Sequence, residues 1–277
     1  MSALEIEYGT TADGLTAARF GTDARAMIPK RDGGFFIAMG WQMPGDITVW
    51  KRDRFFSHMG DVASVEAFKL HCEAQVRHLN EKALLGRQPA PANVSTPWGQ
   101  AQHGETYGPG VTAYSTASHG GFHVIPETNR SVPAALRAAN GWYEEDAGWA
   151  AVAFTFGHLF TALERESARK TLRNSEPDAY EQLYATTLKP GESWLKDQRA
   201  FLTDHAADWI VHAATQSDER KGFVEVIASM GAKRGKERRF LVPGSEYEVG
   251  KFGFVVDLSR HEELVAGAPS AFVTWRN

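Results

Sequence analysis

The sequence predicts an α+β fold: a mostly antiparallel sheet with a central helical block, preceded by a small α+β N-terminal region. Two observations carry this. Strand-like runs come first, helical periodicity fills the middle, and strand-like runs return at the end, an order of segregated elements that suits α+β architecture. The 277 residues are 43% hydrophobic and 23% charged, which is enough apolar material to bury a core.

The N-terminal domain is expected over residues 1–85. Ala24–Pro29 and Phe35–Trp41 are rich in strand formers, and Arg31-Asp-Gly-Gly34 between them signals a turn, so the pair reads as a β-hairpin. Ile47–Trp50 is a candidate third strand. From Val62 the period changes. Val65, Phe68, Cys72, Val76, Leu79 and Ala83 recur at steps of three and four, the apolar face of one helix. Cys72 lies on that face and reads as a buried, inert thiol. Residues 86–97 hold three prolines and few large apolar side chains, and read as an extended linker.

The second domain is expected over residues 98–277. Ala101–Tyr107, Gly110–Thr116 and Phe122–Ile125 are strand-like. Ser131 with Pro133 suggests a short helix ending at Asn140-Gly141. A longer helix is expected from Tyr143 to about Leu159. Thr161 and Glu164 form a T-x-x-E capping box for the next, reaching Leu172. Two more are expected, from Ser175 and from Glu192 to about His205. Strands then return at Trp209–Thr215, Phe223–Ser229, Arg238–Val242, Phe252–Val256 and Phe272–Trp275.

Bulk properties narrow the function. The formal net charge of -4 and pI of about 6.2 exclude a generally basic nucleic-acid coat. Cys72 is the one cysteine, so no intrachain disulfide is possible. The N-terminus lacks a signal-peptide pattern, and no apolar run approaches a membrane span, so a cytoplasmic location away from membranes is expected. Phosphate-loop and dinucleotide fingerprints are absent, as is a G-x-S-x-G elbow.

The stretch Ser118–Trp149 is the candidate site. His119 and His123 are four apart, sharing a face in an extended chain, with Gly120 and Gly121 permitting close approach of a ligand. Paired imidazoles with a third ligand can hold a divalent metal. A histidine held by Glu144, Glu145 or Asp146 would equally serve as a general base. The same acidic residues at a helix start would simply favour its dipole. Trp142 and Tyr143 offer an aromatic wall for a ligand, whereas Trp149 reads as core. His103 and His158 are further candidates. A second region, Lys233, Arg234, Lys236, Arg238 and Arg239, gathers five cations at a hairpin, suited either to phosphates and acidic proteins or to a solvated edge.

Four runs in order, Thr96-Pro-Trp-Gly99, Ser115-Thr-Ala-Ser-His-Gly-Gly-Phe-His123, Gly141-Trp-Tyr-Glu-Glu-Asp146 and Arg239-Phe-Leu-Val-Pro243, resemble the DUF7007 family of uncharacterised proteins from plasmids and other mobile elements of proteobacteria. The resemblance spans about residues 96–256. It implies a bacterial accessory protein of mobile DNA, with a role in maintenance, transfer or counter-defence, and assigns no catalytic residues. Two hypotheses follow. The favoured one is a protein that binds a macromolecule, nucleic acid or a host defence protein, through the basic hairpin. The alternative is a hydrolase or a nucleotide- or nucleic-acid-modifying enzyme built on His119, His123 and Glu144–Asp146. It requires His119 and Glu145 to share one pocket.

Overall fold

A computed structural model describes residues 3–233, 235–265 and 267–272. The fold is α+β, as expected, with several antiparallel sheets. By contacts the chain divides into two compact units, residues 1–172 and 173–277. Among the described residues no helix is long and apolar enough to cross a membrane.

The first unit opens with β1 (Glu7–Thr10), β2 (Thr16–Phe20), β3 (Asp23–Pro29), β4 (Phe35–Trp41) and β5 (Asp61–Val62), an antiparallel sheet in sequence order. The expected hairpin is β3–β4. The third strand expected at Ile47–Trp50 is instead a 3-10 turn over Ile47–Val49. Trp50 returns its indole N–H to the Pro44 carbonyl at 2.8 Å, and the turn seats Ile47 and Trp50 on one sheet face. Helix α1 (Val65–Leu84) covers the other face, where Phe68, Cys72 and Val76 pack among Phe20, Met27 and Ile37. Ser64 caps it by accepting from the Ala67 N–H. Cys72 is fully buried, and burial pushes its thiol up to about 12, which leaves it an inert thiol.

Residues 86–97, expected as a linker, are built into a sheet. They supply β6 (Gln88–Ala90) and β7 (Ser95–Thr96), the latter paired with β8 (Gly99–Gln100). Next come β9 (His103–Gly108), β10 (Val111–Ser115), β11 (Gly120–Val124), the single-turn α2 (Pro126–Asn129) and β12 (Trp142–Glu144). The sheet runs β12-β11-β10-β9-β6, antiparallel throughout. Arg87 pins its edge. The guanidinium pairs with Glu164 at 2.6 Å and 3.0 Å, reaches the Leu159 carbonyl, and lies 3.7 Å over the Tyr107 ring.

Of the expected helices one is absent and one is shortened. Residues 131–141 form turns, in which Arg137 donates to the Val132 and Arg130 carbonyls and so replaces a helical ladder with side-chain bonds. Trp142–Glu144 is a strand because Gly121–His123 pairs with it. Helix α3 therefore begins only at Trp149 and ends at Thr155. Helix α4 (Ala162–Ser175) has its capping box in place: Thr161 N–H donates to Glu164 Oε2 at 2.7 Å, and Glu164 N–H to Thr161 Oγ1 at 3.2 Å.

The second unit carries α5 (Pro177–Tyr184) and α6 (Trp194–Asp204), then β13 (Trp209–Gln216), β14 (Phe223–Met230), β15 (Glu237–Pro243), β16 (Phe254–Val255) and β17 (Glu262–Leu264). The sheet order is β16-β13-β14-β15-β17, over a core that includes Trp209, Val226, Phe240 and Val242. Of the last expected strand, Phe272–Trp275, residues 273–275 lie outside the described residues.

Candidate functional site

Strand alternation in the β12-β11-β10-β9-β6 sheet sorts the candidates onto two faces. The register sets Glu105 beside Ala113, Ala113 beside Phe122 and Phe122 beside Tyr143, with His103 beside Ser115. These residues and Tyr107 share one face. On the other, Tyr114 lies beside Gly121 and His123 beside Trp142.

The first face bears a cavity of about 460 Å³, lined among others by His103, Glu105, Tyr107, Ser115, Phe122, Glu145 and Trp149. Trp149 is thus half-buried cavity wall at the start of α3 rather than core. Burial pushes the Tyr107 phenol up to about 12, against the opposing charge of Arg87, so it stays protonated. Glu105 is half-buried and has no hydrogen bond or ion pair among the described residues.

His119 stands beside this cavity's wall residue Glu145. It sits in the turn between β10 and β11, and Thr116 fixes that turn. The His119 N–H donates to Thr116 Oγ1 at 3.2 Å, while the Thr116 N–H donates to the His119 carbonyl at 2.7 Å. The turn leaves His119 Nδ1 3.8 Å from Glu145 Oε1, and the Glu145 N–H returns to the Gly120 carbonyl at 3.0 Å. One ligand atom each from His119, Glu144 and Glu145 falls within 4.8 Å of the others, a nitrogen-and-oxygen donor set that suits a divalent cation. Asp146 is exposed and outside this group.

The glycines serve packing rather than ligand approach. A Cβ on Gly120 would meet Glu145 Oε2 at 2.7 Å and the Tyr114 carbonyl at 2.9 Å. One on Gly121 would meet the Tyr143 carbonyl at 2.2 Å and the Trp98 ring at 2.4 Å. Glycine at both positions lets the β12 end and its carboxylate close on β11.

His123 leaves the site. It lies on the opposite face, its ring 4.4 Å from that of Trp142, and burial lowers its pKa, favouring the neutral ring. Trp142 belongs to the same cluster, edge-on to Trp98 and beside Tyr114. Tyr143 is buried; its hydroxyl donates to Asn129 Oδ1 at 2.5 Å and accepts from the Ala138 N–H, so it is not an exposed ligand contact. The acidic run is not a helix start, which removes the dipole explanation for Glu144 and Glu145. Sequence reasoning missed Glu105 and Tyr107. Their alternation with His103 along β9 was the available signal.

The basic hairpin also separates. Lys233, Lys236 and Arg238 line a depression of about 360 Å³ with Trp209 and Met230, Arg238 lying 4.7 Å over the Trp209 ring. Arg234 lies outside the described residues. Arg239 is a correction: it is buried against Glu225 at 2.9 Å and donates to the Ala268 and Pro269 carbonyls. Alternation along β15 turns it inward, where a carboxylate satisfies it.

Residues 91–206 match the model of a family described as a domain of unknown function, DUF7007. The match takes in β7 to α6, with His119, Glu144 and Glu145. It ends before the basic hairpin and Arg239–Pro243. No curated protein and no solved structure matches the chain. Over residues 91–206 the chain is thus similar to the DUF7007 family.

Proposed function

We propose that the DUF7007-like region is a hydrolase whose site is the cavity beside the β10–β11 turn, with His119 as general base and Glu145 as the carboxylate that steadies its charged form. The observation that carries this is the 3.8 Å approach of His119 to Glu145, a residue that lines a cavity large enough for a small molecule. At 3.8 Å the two groups are too far apart for a hydrogen bond but close enough to pair once the imidazole takes up a proton. Such contacts tighten when substrate excludes water. His119 takes a proton from water as the water oxygen bonds to the substrate's electrophilic centre, Glu145 offsets the positive charge that develops on the imidazole, and the imidazolium returns the proton to the leaving group as its bond to that centre breaks. Glu144, beside them, completes a set that would hold a divalent ion if the reaction uses one.

The test is substrate depletion. A bacterial metabolite extract is incubated with the protein and with a His119→Ala variant, and compared by mass spectrometry. Compounds consumed only by the parent protein are expected. No consumption, or equal consumption by the variant, counts against the reading. Loss of activity on chelation, with recovery on adding manganese, would bring in the ion.

A second reading draws on the other unit. Lys233, Lys236 and Arg238 around one depression suit an anionic partner, nucleic acid or an acidic host protein. Charge reversal at Lys233 and Lys236 is expected to weaken such an interaction, most at low salt. A place among cytoplasmic accessory proteins of mobile DNA, counter-defence included, accords with either reading and rests on the resemblance.

A further inference from the structure

We infer that the cavity takes a small organic cation, an amine or guanidine carrying a flat or apolar body. This rests on the reading of the cavity as the substrate site and adds the substrate's charge. Three features of the lining carry it. Among the described residues no lysine or arginine lines the cavity, while Glu105 and Glu145 both do. Glu105 is half-buried yet lacks a hydrogen bond or ion pair among the described residues. A cation entering the cavity would pair directly with this carboxylate between aromatic walls, where the attraction is stronger than in bulk water. The remaining aromatic walls are Tyr107, Phe122 and Trp149, whose bodies cover an apolar ligand; Arg87 already lies over the Tyr107 ring, so attraction of a ligand cation to a ring falls to the half-buried Trp149.

Arg87 does not reverse this sign. Its guanidinium lies over the Tyr107 ring, but its charge is met by Glu164 in a two-pronged pair. A free phosphate or carboxylate ligand would face Glu105, which has no cationic partner among the described residues, and Glu145, which only His119 approaches, so anionic substrates are disfavoured. The rest of the lining (His103 and Ser115) supplies groups that can orient a hydroxyl or carbonyl near the cationic end.

The experiment uses three probes with one ring and different charge: tyramine, neutral 4-ethylphenol and anionic 3-(4-hydroxyphenyl)propanoate. Binding to the full chain is followed by isothermal titration at pH 7.5 and low salt. Tyramine is expected to bind at least about tenfold tighter than 4-ethylphenol, with the anion weakest. Glu105→Gln keeps the shape and is expected to remove most of the tyramine preference while leaving 4-ethylphenol unchanged. Added salt should erode the preference in the parent. Equal binding of cation and neutral compound, preference for the anion, no binding of any probe, or a tyramine preference undiminished in Glu105→Gln would each overturn the inference. His119→Ala separates it from the hydrolase reading. Tyramine selectivity that survives in this variant supports the cation site, whether or not turnover depends on His119. Conversely, His119-dependent consumption of anionic compounds alone would sustain the hydrolase and sink the cation.

Discussion

Two acid–base pairs of the first unit, Arg87–Glu164 and His119–Glu145, differ in nearly every physical respect. Arg87 and Glu164 meet at 2.6 Å with side chains 2% and 21% exposed, and both make further hydrogen bonds. His119 and Glu145 stand 3.8 Å apart at 54% and 48% exposure. The first pair is a fastener. It ties β6 and the floor of the cavity, through the Tyr107 ring, to the start of α4. The second adds little to stability at that exposure, since water screens it. Yet the chain shapes a turn and two adjacent glycines around it. Residues organised without return in stability are where function is to be sought.

The comparison can be broken first at its buried side. Arg87→Met is expected to destabilise the first unit by about 3 kcal/mol, because Glu164 is left without its charged partner. Urea unfolding measures this, and a loss under about 1 kcal/mol would show the pair to be dispensable. Gly121→Ala comes next, at about 2 kcal/mol, since its Cβ would strike the Tyr143 carbonyl. The same variant is expected to shift β12 and so displace Glu145.

A third prediction uses acid. Burial raises the Glu164 carboxyl, but hydrogen bonds from Arg87 and from the Thr161 N–H, with the Arg87 charge, outweigh it and leave the pKa below its ordinary 4.5. A carboxyl lowered by folding contributes stability that is whole above the ordinary value and is lost as pH falls through the lowered one. Glu164→Gln should therefore flatten the acid limb of stability against pH below 4.5 and leave its neutral limb parallel to that of the parent. An unchanged acid limb would deny the coupling. The smallest effect concerns Cys72. With its thiol pushed up to about 12 under α1, it should react with a disulfide reagent only on unfolding. Rapid labelling of the native protein would contradict its burial.

Much of the fold was legible because local signals agreed with tertiary packing. The β3–β4 hairpin and the Thr161–Glu164 box satisfy themselves within a few residues, and the α1 stripe repeats at helical spacing along its own length. Trp142–Glu144 was misread as a helix start because its real partner, Gly121–His123, is about twenty residues upstream. Periodicity over one segment carries no information about such a pairing. The site was half legible. His119 and the glutamates were named from chemistry and do converge. His123 fell away because the strand that holds it, preceded by a turn at His119, sends the two rings to different surroundings. Glu105 and Tyr107 were hidden, since a carboxylate and a phenol in a strand look like solvated surface until the cavity is seen.

The most direct test of the central claim pairs stability with chemistry in one variant, His119→Gln, compared with the parent for urea unfolding and for consumption of the compounds that the parent depletes. Stability within about 0.5 kcal/mol of the parent is expected, as for an exposed surface change, together with lost consumption. A variant that consumes the same compounds as the parent would contradict the assignment of chemistry to His119, and one destabilised like Arg87→Met would make the pair a fastener too.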